Sequence, residues 1–343
     1  PVVAGYSNDG DAMIMKIGQN GDTLWARFID FGSFSEAFTV SQVHDSGFVL
    51  CGYVYASSTP NEMFVARTDK GGNLIWSKTY TVGNHANYAY SVKETADSGF
   101  IVAAYAENYP PFVSYAVALK LDENGNSQWC KGYSDGSSSF CSASDVLVEG
   151  DMLLFGCIIN NSFVVAKADS SGNFLWAKDQ MVNYSSVLNA PSTKLRKTSR
   201  NNIMFLIACD FCFTQNLIIC DTAGTQISAT NVLMYGSAAI ETGDSGYMAL
   251  GNGPMGGIKQ TTENILESQF VLVKTDSTGN SSMCSNSYPA GSVSTSLFTW
   301  FLAVDENISG TLHSMSYMLS DIALIVADEC VGFFGGFDES ENI

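Results

Sequence analysis

The chain has 343 residues, 46% of them hydrophobic and 15% charged, with a formal net charge of −18. This is ample material for a buried core, and the acid excess argues against nucleic acid and anionic membranes as partners, since no strong basic patch offsets it. No apolar run reaches the roughly eighteen residues of a membrane-spanning helix, so no membrane span is expected.

The chain opens as PVVAGYSNDGD, which aligns with FVLCGY at Phe48 to Tyr53, so residue 1 falls inside a unit whose first strand is missing. Without an initiator Met or a signal segment, the expectation is a processed or partial product. A turn motif follows as MKIGQNGDTLW ending at Trp25, and returns in ARTDKGGNLIW, LKLDENGNSQW and AKADSSGNFLW ending at Trp76, Trp129 and Trp176. Worn copies end at Ser228 and Met283. The glycines Gly21, Gly72, Gly125, Gly172, Gly224 and Gly279 are 51, 53, 47, 52 and 55 residues apart, the period of a propeller blade.

Each motif reads as a hairpin: an apolar strand, a tight Asp-x-x-Gly turn and a Trp-bearing strand. Asp69, Asp122, Asp169, Asp221 and Asp276 suit the first turn position because a carboxylate accepts bonds from backbone N–H groups ahead of it, and Gly18 replaces Asp in the first copy. The Trp is expected to pack between neighbouring sheets. Upstream, EAFTVSQVHDSGFVLCGY (Glu36 to Tyr53) and YAYSVKETADSGFIVAAY (Tyr88 to Tyr105) align without a gap, and GDSGYMALGN at Gly243 repeats their logic. An alternating strand, a DSG turn and a buried strand therefore precede each Trp hairpin. The predicted fold is all-β: a propeller of four-stranded antiparallel blades, with boundaries near 31, 81, 133, 180, 230 and 288. It has six blades, or seven if the tail builds one.

The DSGF…KxDxxGNxxW combination resembles the tryptophan-motif propeller repeats of secreted and surface proteins, a family distantly similar to quinoprotein blades. The resemblance covers residues 1–288 and is specific for the repeat rather than for an activity. It implies a secreted or surface module, and it implies that residues 289–331 form a β tail. That tail could instead supply the strand closing blade one or form a seventh blade. Residues 332–343, Gly- and Phe-rich and acidic, form a separate end. Related tails finish in Cys, which implies a Cys284–Cys330 disulfide.

Nine cysteines in a low-charge chain rich in Ser, Thr and Asn point to an extracellular or cell-surface location with disulfides. Cys209 and Cys220, read as roughly opposite across a hairpin, are a second expected pair. Cys209-Asp-Phe-Cys212 lacks the second CxxC and nearby His of a zinc site, and Cys51 and Cys157 read as buried hydrophobes. Asn160, Asn183, Asn280 and Asn307 head N-x-S/T sequons, at hairpin turns, between blades and in the tail, and are the expected glycosylation sites.

No catalytic residue is expected. His44, His85 and His313 fit no nucleophile or metal pattern, and the GDSG at Gly243 is explained as a turn because DSG recurs at Asp45 and Asp97. The basic run Lys194 to Arg200 reads as a solvated strand or turn. A quinone-type oxidoreductase would need a longer Asp-to-Gly turn and an adjacent Cys pair, so no cofactor and no metal are assigned. The reading is a structural or interaction module, including a subunit of a surface or filamentous assembly. Its partner would be itself, through its ends, or another surface protein. The alternative is a carbohydrate-binding propeller with glycans as partners, marked by exposed aromatics beside Asp or Asn in several blades; Tyr109 beside Asn108 is its candidate.

Overall fold

Tight turns between apolar, β-branched runs leave strands as the economical way to pair this backbone. The computed structural model describes residues 1–55, 60–109, 112–134, 140–159, 162–180, 194–208, 215–232, 235–252, 270–277, 285–288, 292–294, 298–301, 305–306 and 311–315. Among these residues every regular element is a strand, and no helix occurs.

Sheet one contains β1 (Val2–Tyr6), β2 (Ala12–Ile17) and β3 (Thr23–Asp30). Sheet two contains β4 (Ser35–Gln42), β5 (Phe48–Val54), β6 (Glu62–Thr68) and β7 (Leu74–Thr81). Sheet three contains β8 (Asn87–Glu94), β9 (Phe100–Asn108), β10 (Val113–Leu121) and β11 (Ser127–Ser134). Sheet four contains β12 (Cys141–Glu149), β13 (Met152–Ile159), β14 (Ser162–Asp169) and β15 (Phe174–Gln180). Sheet five contains β16 (Arg196–Lys197), β17 (Ile203–Ala208), β18 (Gln215–Cys220) and β19 (Gln226–Val232). Sheet six contains β20 (Tyr235–Glu241), β21 (Tyr247–Asn252) and β22 (Phe270–Thr275). The first five sheet boundaries follow those read from the motif spacing, whereas Ser285–Tyr288, expected in the sixth unit, pairs with β19 of sheet five.

Consecutive sheets face one another across apolar layers. Ile14 and Ile29 of sheet one meet Phe48, Leu50 and Phe64 of sheet two. Val49, Cys51 and Val65 meet Val92, Val102 and Val117 across the next layer. Corresponding layers join sheets three and four, four and five, and five and six. Each interior strand is buried on both faces, which is why β5 and β9 read as continuous apolar runs rather than alternating ones.

Among the described residues the tail is made of short strands that add to sheets already formed. Its strands β23 (Ser285–Tyr288), β24 (Ser292–Ser294), β25 (Phe298–Phe301), β26 (Asp305–Glu306) and β27 (Thr311–Met315) pair antiparallel with β19, β15, β11, β7 and β3 in turn. The tail thus runs back along the molecule from sheet five to sheet one. It adds a fifth strand to sheets two to five and a fourth to sheet one. The physical reason is the row of unpaired N–H and C=O groups on each outer edge, which a short extended segment satisfies. Strand starts fall six or seven residues apart, about 20–23 Å of extended chain. None of the described tail strands builds a sheet of its own, so they supply no seventh unit. On sheet one the tail pairs with the edge strand β3 and not with β1.

Candidate functional site

The residues that drew attention in the sequence gather at one end of the sheets, where they hold the protein together. In sheet two the Asp69 carboxylate accepts N–H bonds from Gly71 (2.7 Å) and Asn73 (2.9 Å), and the Asn73 amide donates to its other oxygen (2.8 Å). Asp122 and Asp169 repeat all three bonds, and Asp221 repeats the two backbone ones. These bonds, led at Asp69 by those from Asn73, hold its carboxyl below the usual range.

The Trp does more than fill space between sheets: it lies half-buried on the turn glycine of the following sheet. A Cβ placed on Gly72, Gly125 or Gly172 would meet the ring of Trp25, Trp76 or Trp129 at 2.7–2.8 Å. Two residues past the Trp, Lys78 and Lys131 donate to the side chains of Asn126 (2.6 Å) and Asn173 (2.7 Å) in the next turn. Two further on, the buried Tyr80 and Tyr133 hydroxyls donate to the carbonyls of Gly125 (2.7 Å) and Gly172 (2.9 Å). Lys178 and Gln180 make the corresponding bonds to Thr225 and Gly224. Sheets two, three and four therefore each clasp the next with a ring, an ammonium and a hydrogen-bond donor, and sheet one does so with the Trp25 ring.

The DSG turn and the Lys or Arg of the second hairpin are also partners. Asp45 pairs with Arg67 (2.6 Å), Asp97 with Lys120 (2.9 Å) and Asp244 with Lys274 (2.8 Å). Arg67 and Lys120 are buried, so these carboxylates neutralise cations inside the sheet. Burial of Asp97 opposes ionisation, but bonds from Thr95, Lys120 and Gly99 outweigh it and bring its pKa to about 2. Ser46, Ser98 and Ser245 share a left-handed backbone at φ of 63° to 70°, so Ser245 occupies the same turn position as two other serines. A cleft of about 270 Å³ between sheets three and four is lined by Asp97, Lys120, Trp129, Asp151 and Ser170 at this end.

The opposite end is built differently. Tyr6, Phe34, Tyr53, Phe38, Tyr90, Tyr88, Tyr105 and Phe140 form a connected group of rings spanning sheets one to four. Linked centroids lie 5.0–6.3 Å apart, from Tyr53–Tyr88 at the near limit to Tyr88–Tyr90 at the far one. Tyr6 is 52% exposed, whereas Tyr90 and Tyr105 are buried at the group's base. The backbone sets this arrangement. Tyr6, Tyr53 and Tyr105 sit at equivalent places near the ends of β1, β5 and β9, and Phe38 and Tyr90 are the extra residues of matching bulges in β4 and β8.

One carboxylate stands among these rings. Glu36 lies directly across from Tyr53 in the β4–β5 ladder, where sheet three places Tyr88 across from Tyr105. Glu36 has no hydrogen-bond or ion-pair partner among the described residues, and burial raises its pKa. Burial likewise raises Tyr53, with smaller contributions from Glu36, Tyr88 and Tyr6.

The structure relocates several expectations. Asn108 serves its own loop: its side-chain oxygen accepts from Asn84 N–H (2.9 Å), while the Asn84 side chain accepts from Tyr109 N–H (2.8 Å). Tyr109 is 59% exposed and contacts the His85 ring rather than joining the aromatic group. His44 and His85 pair with Glu94 and Glu107. The basic run is consumed locally: Lys194 donates to Tyr90 O (2.9 Å), Lys197 pairs with Glu149 (2.7 Å), and Arg200 reaches Tyr247 OH (3.0 Å).

Among the described residues no disulfide is present, and Cys51, Cys130, Cys141, Cys157 and Cys220 are buried free thiols. Burial pushes Cys51, Cys130 and Cys220 up to about 12. Cys220 faces Ile203 in the β17–β18 ladder. Cys209, Cys284, Cys330 and the sequons Asn160, Asn183, Asn280 and Asn307 lie outside the described residues. No group of three His, Cys, Asp or Glu suited to a metal ion occurs among the described residues, and no helix there is long and apolar enough to cross a membrane.

Neither a protein-family model nor a curated protein matches this chain.

Proposed function

We propose that the six sheets close into a six-bladed propeller of the tryptophan-motif type and that the chain is an extracellular or cell-surface interaction module. Its binding surface is the aromatic end of sheets one to four. Closure is supported by the apolar layers between consecutive sheets and by a tail that follows their outer edges in order. The location rests on composition: few charges and abundant Ser, Thr, Asn and Tyr.

The observation that carries the reading is the contrast in how the two ends use their polar and aromatic groups. At the turn end they bind one another, whereas the other end leaves Tyr6 and Phe34 exposed beside an unpaired Glu36. Exposed rings in a connected group mark contact surfaces, since they contribute large area at little entropic cost. The partner is a second copy of this chain or another surface protein.

A carbohydrate partner is the second reading. It is favoured by tyrosines at three equivalent positions, Tyr6, Tyr53 and Tyr105, with Glu36 and Asn61 nearby to take hydroxyl bonds. Sedimentation at rising concentration reports self-association, binding to recombinant surface proteins reports a heterologous partner, and a glycan array reports saccharides. The reading expects at least one response in the native chain and its loss in a Tyr6→Ala, Phe34→Ala double variant. A response that survives both substitutions would remove the aromatic end from the proposal.

A further inference from the structure

Glu36 is the exception within the aromatic end. Phe38 lies on its own strand and Phe34 just before that strand, Tyr53 faces it across the ladder, and the Tyr6 ring lies 5.4 Å from that of Phe34. Phe38 stacks on Tyr53 at 5.5 Å, and the Tyr88 ring closes the far side at 5.0 Å from Tyr53. Glu107, a carboxylate at the same end, is already engaged: it accepts the Tyr105 hydroxyl (2.7 Å) and pairs with His85 (3.4 Å). Glu36 makes no such bond, and burial is the one cause that moves its pKa. A half-buried carboxylate without a partner is costly, and a ligand bearing the complementary charge removes that cost.

Aromatic faces attract cations through their quadrupoles, most strongly where water is partly excluded. A compact inorganic cation would keep its hydration shell, and a saccharide carries no charge to answer the carboxylate. An alkylated ammonium does both things: its methyl groups pack on the rings and its charge meets the carboxylate. The net charge of −18 draws cations toward the surface as a whole.

We infer that Glu36, Phe34, Phe38 and Tyr53 form a binding site for an alkylated ammonium group. This site deepens the reading of the aromatic end as the binding face, and it assigns Glu36 as the residue that selects for charge. In sheet three Tyr88 occupies the corresponding place, so the site belongs to sheet two and is not repeated there.

The test is titration of the full chain with tetramethylammonium chloride, following tyrosine ring resonances by NMR, with sodium chloride at equal ionic strength as the blank. The native chain gives a saturable shift of Tyr53 and Tyr6 resonances. Glu36→Gln keeps the shape and weakens binding about tenfold, and Phe34→Leu weakens it severalfold, with thermal unfolding confirming that both variants fold. Absence of a saturable response in the native chain overturns the inference, as does equal binding by Glu36→Gln. A response to methyl glycosides but not to tetramethylammonium overturns the ammonium site while leaving the aromatic end as a binding face. Silence toward both probes, together with self-association that ignores Tyr6→Ala, removes the face itself.

Discussion

The two ends of the sheets use the same kinds of residue to opposite effect. At the turn end Trp76, Lys78 and Tyr80 each have a counterpart in Trp129, Lys131 and Tyr133, and each finds its partner one sheet onward. At the other end the equivalent position holds Glu36 in sheet two and Tyr88 in sheet three, so neighbouring sheets present different chemistry. Recurrence from sheet to sheet marks what holds the sheets together, and departure from it marks where recognition is to be sought. The Trp motif, the most visible feature of the chain, therefore says the least about its partner.

Substitutions that separate the two ends sharpen this contrast. Trp76→Ala removes the ring over Gly125 and the indole bond to Glu123 O (3.0 Å), and should destabilise by about 3 kcal/mol in urea unfolding. Asp97→Ala leaves the buried Lys120 ammonium without its counter-charge. Because Asp97 is itself half-exposed, the expected loss is about 2 kcal/mol, below that of a fully enclosed pair. Tyr133→Phe deletes only the buried bond to Gly172 O and should cost about 1 kcal/mol by the same assay.

Acid should weaken the turn end selectively. The Asp97 pKa is depressed to about 2, so its contribution is complete above the unfolded value of about 3.9 and disappears as pH falls through the folded value. The urea midpoint should fall between about pH 4 and pH 2, less steeply in Asp97→Asn, and a flat profile in the native chain would contradict the assignment. Smallest of all, Tyr6→Ala at the exposed end should shift stability by about 0.5 kcal/mol or less while altering any binding measured there. A large loss of stability would show that the aromatic end is core rather than surface.

Much of the architecture was legible because the motifs are local. The Asp-x-x-Gly turn, the DSG turn and the strand boundaries each lie within a few residues, and the structure places them where the pattern did. The bonds between them were harder to read. Asp97 and Lys120 stand 23 residues apart, and Trp76 meets Gly125 across nearly a full repeat, so each partner was visible while the pairing was not. Asp45 and Arg67, and Asp244 and Lys274, carry the signal that could have revealed it, since acid and base recur together. The tail strands were hidden because they are two to five residues long and take their edges from distant sheets. The aromatic end was missed by looking at Tyr109, when the aligned Tyr6, Tyr53 and Tyr105 already shared one position in the unit.

The clasp is tested most directly by one substitution made at two places. Gly125 and Gly21 both sit in the motif turn with positive φ, +77° and +89°, but Trp76 covers Gly125 while an added Cβ at Gly21 would meet nothing within 4 Å. The backbone strain of Ala is shared, about 1 kcal/mol at each site, and only Gly125→Ala must also displace the indole, at a further cost of about 2 kcal/mol. Urea unfolding of the two variants side by side should show Gly125→Ala the less stable by that difference. Equal losses at the two sites would contradict the claim that sheets two to five are each held by the ring of the sheet before.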